Sequence, residues 1–171
     1  SSVMLAIIKL DIPVIASVHS TATAAGCQLV ATCDLAIASD KARFATPGVN
    51  IGLFCSTPMV ALSRNISKKH SMEMLLTGDF IDANKAKNIG LINNYFSEDS
   101  LVDEIRQMAN KIANKSSQTV KIGKKAFYNQ AQMKTDDAYK YASEIMIENM
   151  MNQDSDEGIS AFLEKREPNW S

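Results

Sequence analysis

The segment from residue 12 to residue 39, IPVIASVHSTATAAGCQLVATCDLAIAS, constrains the fold more than any other part of the chain. Its first part is β-branched and alternating, with Pro13 at the leading edge where a missing N–H is tolerated, so a strand ending near His19 is expected. A second strand is expected at Leu35–Ser39. Between them Cys27, Leu29, Val30 and Cys33 recur at helical spacing. The order is strand, small-residue turn, helix, strand, which is the βαβ pattern of a sheet covered by helices. Six small residues, Ser20 to Ala25, precede Gly26, leaving a backbone bare enough for close approach by another group.

Downstream, FATPGVNIGL reads as a loop or short strand punctuated by Pro47, Gly48 and Gly52. Ser56 or Thr57, followed by Pro58, is the expected N-cap of a helix through Leu62. HSMEMLLTG is a second helix stopped by Gly78. IDANKAKNIGL is a third, with Asp82 as N-cap and Gly90 as C-terminal glycine, and LINNYF is a short strand. From Glu98 the pattern turns helical: Leu101, Ile105, Met108 and Ile112 form one stripe, and further helices run through VKIGKKAFYNQ and DDAYKYASEIMIENMM. An α/β core over 1–97 and a helical region over 98–171 are therefore expected, the latter packing on something such as another subunit.

The chain opens at Ser1 on the apolar run VMLAII and reads as a piece of a longer protein. A net charge of -1 over 171 residues gives no electrostatic footprint for nucleic acid or an anionic membrane. Apolar runs stop well short of the ~18 residues that a membrane span requires. The three cysteines, Cys27, Cys33 and Cys55, show no CxxC spacing, and with two histidines they read as buried thiols of a reducing compartment, not metal ligands.

Three stretches carry a resemblance: PVIASVHSTATAAGCQLVATCDLAIASDKARFATPGVNIGL, MEMLLTGDFIDANKAKNIGLIN and EGISAFLEKREPNW. In this order they resemble the enoyl-CoA hydratase/isomerase (crotonase) superfamily over nearly the whole chain. The resemblance implies an α/β fold, a crotonase-type β-β-α spiral core that is here incomplete, followed by a C-terminal helical oligomerisation region. About the first third of the family fold is absent. It also implies a coenzyme A thioester as substrate or ligand, no metal or redox cofactor, a homotrimer or hexamer when full length, and a cytoplasmic or mitochondrial setting.

Crotonase chemistry turns an acyl-CoA thioester into an enolate-like oxyanion, and one preorganised donor to that oxygen is typically worth about 10²- to 10³-fold in rate. By resemblance the donor is the backbone N–H of Ala25, with Ala24 and Gly26 small enough to let the thioester approach. Small residues at such a turn also suit close packing of helix on sheet. Hydratases of the family carry two glutamates, at positions that here hold Gln28 and Gly48. Glutamine exchanges no proton at neutral pH and glycine has no side chain, so with about 10²- to 10⁴-fold per acid or base group, hydration is expected to be very slow. Restoring both, as Gln28→Glu with Gly48→Glu, is expected to raise it.

Among substitutes, His19 titrates in the useful range but reads as a structural strand-end histidine. Asp34 reads as a structural carboxylate, Cys55, Ser56 and Thr57 as helix capping and packing, and His70 as part of a solvated segment. Phe162 and Lys165 fall where family members reach the adenine end of CoA, and equally suit a buried anchor and a surface lysine. Lys121, Lys124 and Lys125 suit phosphates or a solvated helix face. The expected function is an acyl-CoA-binding crotonase-fold protein of fatty acyl-CoA metabolism; the alternative is a catalytically silent regulatory or structural subunit.

Overall fold

The computed structural model describes residues 1–171 as two compact units, Ser1–Ile8 with Val14–Ala109, and Lys9–Pro13 with Asn110–Ser171. The first begins with α1 (Ser2–Lys9), then runs β1 (Ile15–Val18), β2 (Thr21–Thr23), α2 (Ala25–Thr32), β3 (Leu35–Ser39) and β4 (Arg43–Ala45). A 3-10 turn at Pro47–Ile51 leads into α3 (Ser56–Asn65), α4 (Lys68–Thr77), β5 (Ile81–Asp82), α5 (Ala83–Asn88) and β6 (Asn94–Phe96).

The first four strands alternate between two sheets, ordered β1-β3-β6 and β2-β4-β5. β1 pairs with β3 in parallel from Ile15 opposite Leu35 to Val18 opposite Ala38, so α2 is the crossover of a βαβ unit. β2 pairs with β4 in parallel, which places Ala22 opposite Phe44, and β5 closes that sheet antiparallel. β1 is followed by β2 and then α2, and β3 by β4 and then the 3-10 turn and α3, which makes two turns of the β-β-α spiral that the resemblance implies. The core between these layers holds Val18, Cys27, Ala38, Phe44, Leu62 and Leu75.

The small-residue segment is therefore not all turn. Thr21–Thr23 form a strand, because a partner in the second sheet takes up their backbone groups, and only Ala24 is left to reverse the chain into α2. The cap of α3 is also corrected, from Ser56 or Thr57 to Cys55, one residue earlier and without a side-chain cap bond. Local chemistry explains the other boundaries. Ser67 caps α4 by accepting from the His70 N–H, and Gly78 ends it at φ 67°. Asp82 caps α5 by accepting from the Lys85 N–H at 2.7 Å. Thr46, fully buried, donates to the Met74 carbonyl at 2.9 Å and so ties the 3-10 turn to α4.

The helix α6 (Glu98–Ala113) begins where the sequence changes character, and residues 98–109 belong to the first unit. In the second unit follow α7 (Ser117–Gln130), α8 (Thr135–Met150) and α9 (Gln153–Glu164). Two of the basic residues weighed for phosphate binding are engaged here. Lys121 pairs with Asp11 at 2.7 Å, and Lys124 donates to the Ile12 carbonyl at 2.9 Å, holding the 9–13 strip.

A clasp fixes the last residues of the chain. Buried Asp154 accepts from the Ser116 hydroxyl and from the Ser171 N–H, and the Trp170 indole N–H donates to the Asn114 carbonyl. Glu157 accepts from both ends of the Arg166 guanidinium and from the Asn169 N–H, bonds that lower its pKa from 4.5 to about 2. Because the folded value is depressed, the stabilisation is present above the unfolded pKa and is lost as pH falls toward 2. Glu157→Gln is expected to lower the thermal midpoint of the full-length protein at pH 7 and to leave it nearly equal to wild type near pH 2. A constant gap between the two proteins across that range would remove Glu157 from the clasp.

Candidate functional site

The start of α2 is open. Its N-cap, Ala24, has no side chain that can accept a hydrogen bond, and the N–H groups of Ala25, Gly26 and Cys27 have no acceptor in the protein. Ala24 sits at φ 46°, ψ -111°, a conformation costly for a residue with a Cβ. The surrounding bonds hold it there: its N–H donates to the Ala45 carbonyl at 3.0 Å, and its carbonyl accepts from the Gln28 N–H at 2.9 Å. The flip turns the chain sharply from β2 into α2 and leaves three parallel donors at the positive end of the helix dipole. That arrangement suits a negative oxygen.

Gly26 sharpens the point. A Cβ built there would have Ala22 Cβ at 4.0 Å as its only near neighbour, so packing of helix on sheet does not demand glycine. Its φ is not in the left-handed region either. The bareness at position 26 is therefore space in the first turn of α2 that packing leaves unfilled.

Gln28 lies three residues after Ala25, on the same helix face, and helical side chains lean toward the N-terminus. The residue is 7% exposed, and its carboxamide makes no hydrogen bond within the protein.

Gly48 is the opposite of Gly26. A Cβ there would lie 2.6 Å from the Leu53 carbonyl oxygen and 2.9 Å from Cys55 Sγ, because the turn closes by a Leu53 N–H bond to the Gly48 carbonyl. The structure leaves no room for a side chain at this position. Cys55 in turn neighbours Cys27, whose thiol is pushed up to about 12 by burial and by Cys55. Cys27 is thus a protonated core thiol, and the pair joins the 47–55 segment to α2.

The remaining candidates are not gathered here. His19 is exposed between β1 and β2. Asp34 accepts from the Val14 N–H at 2.7 Å and fixes the strand entry. Phe162, in the second unit, is 82% exposed and is not the buried anchor considered for it, since no neighbour in the chain covers it. Lys165 ends α9 at φ 55°, exposed. The steric closure at Gly48 and the strain at Ala24 had no signal in residue type alone.

A model of the enoyl-CoA hydratase/isomerase family matches residues 1–171. The chain belongs to this family, the crotonase superfamily. It is 51% identical over 162 residues to the mitochondrial enoyl-CoA hydratase domain-containing protein 3 of Xenopus laevis, covering 95% of this chain and 55% of that protein. An enoyl-CoA hydratase structure from Mycobacterium smegmatis superposes with TM-score 0.96 at 54% identity, over 98% of this chain and 65% of that one. The human enoyl-CoA hydratase domain-containing protein 3 structure gives TM-score 0.96 at 50% identity, over 99% and 67%. The chain therefore spans a little over half the length of this curated relative. Its α/β spiral and trailing helices are crotonase architecture, and no helix is long and apolar enough to cross a membrane.

Proposed function

We propose that the full-length protein carrying this chain binds fatty acyl-CoA thioesters with the thioester oxygen on the N–H of Ala25, and that it is a poor hydratase. The observation that carries the reading is the open first turn of α2, where three donors lack acceptors and Gly26 leaves space no packing requires. Exposed Leu29, Ile51, Leu53 and Phe54 on the same unit offer apolar surface for an acyl chain. Gln28 and Gly48 stand where family hydratases carry glutamates, so proton transfer in hydration lacks both groups.

A second reading, a catalytically silent subunit that binds acyl-CoA or a partner chain, is favoured by one observation: Gly48 is held bare by its own turn. Self-association into trimers is supported by the second unit, where Met146, Met150, Met151, Ile159, Phe162 and Leu163 are exposed beside an apolar groove of about 580 Å³. Phe162 and Lys165 would then meet the adenine end of CoA bound to a neighbouring copy. The mitochondrial names of the relatives favour that compartment.

Titration of the full-length protein with butyryl-CoA, beside hydration of crotonyl-CoA, tests this. Saturable binding is expected, with hydration slower than that of a two-glutamate hydratase by about 10⁴-fold or more. Failure to bind any CoA ester would refute both readings, and rapid hydration would remove the claim of a disabled site.

A further inference from the structure

We propose that Cys27 and Cys55 form a thiol-oxidation site, at which a hydroperoxide joins the two sulfurs in a reversible disulfide. This chemistry needs only the chain's own sulfurs and is independent of the CoA reading above.

The packing of two helices brings the thiols to one place. Cys27 lies in the first turn of α2, and Cys55 is the N-cap of α3. Asn65, in the last turn of α3, donates its side-chain N–H to the Ala31 carbonyl in the last turn of α2 at 2.6 Å. The helices therefore run side by side in the same sense, and both cysteines fall at the same end of the pair. Cys27 belongs to the buried core cluster, and Cys55 packs against that cluster. The turn ahead of α3 keeps Cys55 in place: a Leu53 N–H bond to the Gly48 carbonyl closes it, and Cys55 Sγ lies 2.9 Å from where a Cβ on Gly48 would stand. Cys33 provides a contrast within the same chain. It is the C-cap of α2, about 9 Å along the helix axis from Cys27.

The two thiols differ in access, and the difference divides the chemistry between them. Cys27 is fully buried, while Cys55 is half-buried and meets an oxidant first. The Cys55 sulfur attacks the outer oxygen of the hydroperoxide and the O–O bond breaks. The thiol proton leaves with the other oxygen as water or an alcohol, and Cys55 becomes a sulfenic acid. The Cys27 sulfur then attacks the Cys55 sulfur, so that an S–S bond forms and the S–O bond breaks. The departing hydroxide takes the Cys27 proton and leaves as water. Two thiols are oxidised and one hydroperoxide is reduced, with no further reagent. Burial keeps Cys27 protonated, which makes the second step the slow one.

The test uses the full-length protein, reduced with dithiothreitol, desalted and exposed to hydrogen peroxide. Peptide mapping by mass spectrometry without reductant should find the Cys27 and Cys55 peptides joined and Cys33 outside the link, and dithiothreitol should separate them. In Cys27→Ala the link should be lost, with Cys55 left as a sulfenic acid that dimedone traps. Cys55→Ser should protect Cys27 from oxidation. The urea midpoint should rise on oxidation of the wild type and stay in place in both variants, because the link constrains only an unfolded chain that carries it. Oxidation of Cys55 without a link to Cys27 overturns the pairing, as does a link from either one to Cys33 or another cysteine. Thiols that stay reduced while free glutathione is oxidised in the same solution overturn the site altogether. A link that lowers the urea midpoint or leaves it unchanged overturns the claim that the folded protein holds the two sulfurs within bonding reach.

Discussion

Gly26→Ala is expected to make the protein more stable and less able to hold a CoA thioester. Glycine inside a helix costs about 0.5–1 kcal/mol relative to alanine, and the added methyl would have no neighbour nearer than Ala22 Cβ at 4.0 Å. The gain should therefore appear in full as a higher denaturation midpoint with an unchanged slope. The same methyl adds bulk in the first turn of α2, where the proposed binding needs a thioester to approach closely. Overpacking of a fitted site costs about 1–3 kcal/mol, so affinity for butyryl-CoA should fall by about 10- to 100-fold. Ala24→Gly is the companion. It relieves the strain of φ 46° and should stabilise by about 1 kcal/mol, without adding an atom in front of the donors. Two stabilising substitutions at neighbouring positions, only one of which damages binding, separate a ligand site from a packing turn. Equal binding by both variants would return the small residues to packing.

Much of the fold was legible because the deciding signals are local. The apolar spacing of Cys27, Leu29, Val30 and Cys33 names a helix, the alternating runs on either side name strands, and Asp82 and Gly78 carry their capping role in their residue type. What was not legible depends on partners distant in sequence. Thr21–Thr23 are a strand only because Arg43–Ala45 lie beside them, and the apolar start of the chain is α1 instead of an undefined run. In the site, residue type pointed to the small-residue turn and to Gln28 and Gly48. It did not distinguish Gly26, whose space is empty, from Gly48, whose space is filled by the Leu53 carbonyl and Cys55. That distinction lies between a nearest contact of 4.0 Å at Gly26 and one of 2.6 Å at Gly48.

The difference changes what restoring the carboxylates should do. Gly48→Glu is expected to destabilise the protein by more than about 2 kcal/mol, because its Cβ would meet the Leu53 carbonyl oxygen at 2.6 Å, and backbone cannot rotate aside as a side chain can. Cys55→Ala in the same protein removes only the Sγ contact at 2.9 Å, so it should recover a minor part of the loss. The double variant Gln28→Glu with Gly48→Glu should therefore show no useful hydration. Gln28→Glu alone is different. It is close in size to the amide already there, and it supplies one of the two carboxylates that the proposed reading finds absent. Hydration of crotonyl-CoA should rise by about 10²-fold or more in this single variant. Burial disfavours the charged carboxylate and raises its pKa, so the gain should grow with pH from above the ordinary carboxylate range. A double variant that outperforms the single one, with its stability intact, would mean that the 47–55 turn opens freely and that Gly48 is not held bare by its surroundings.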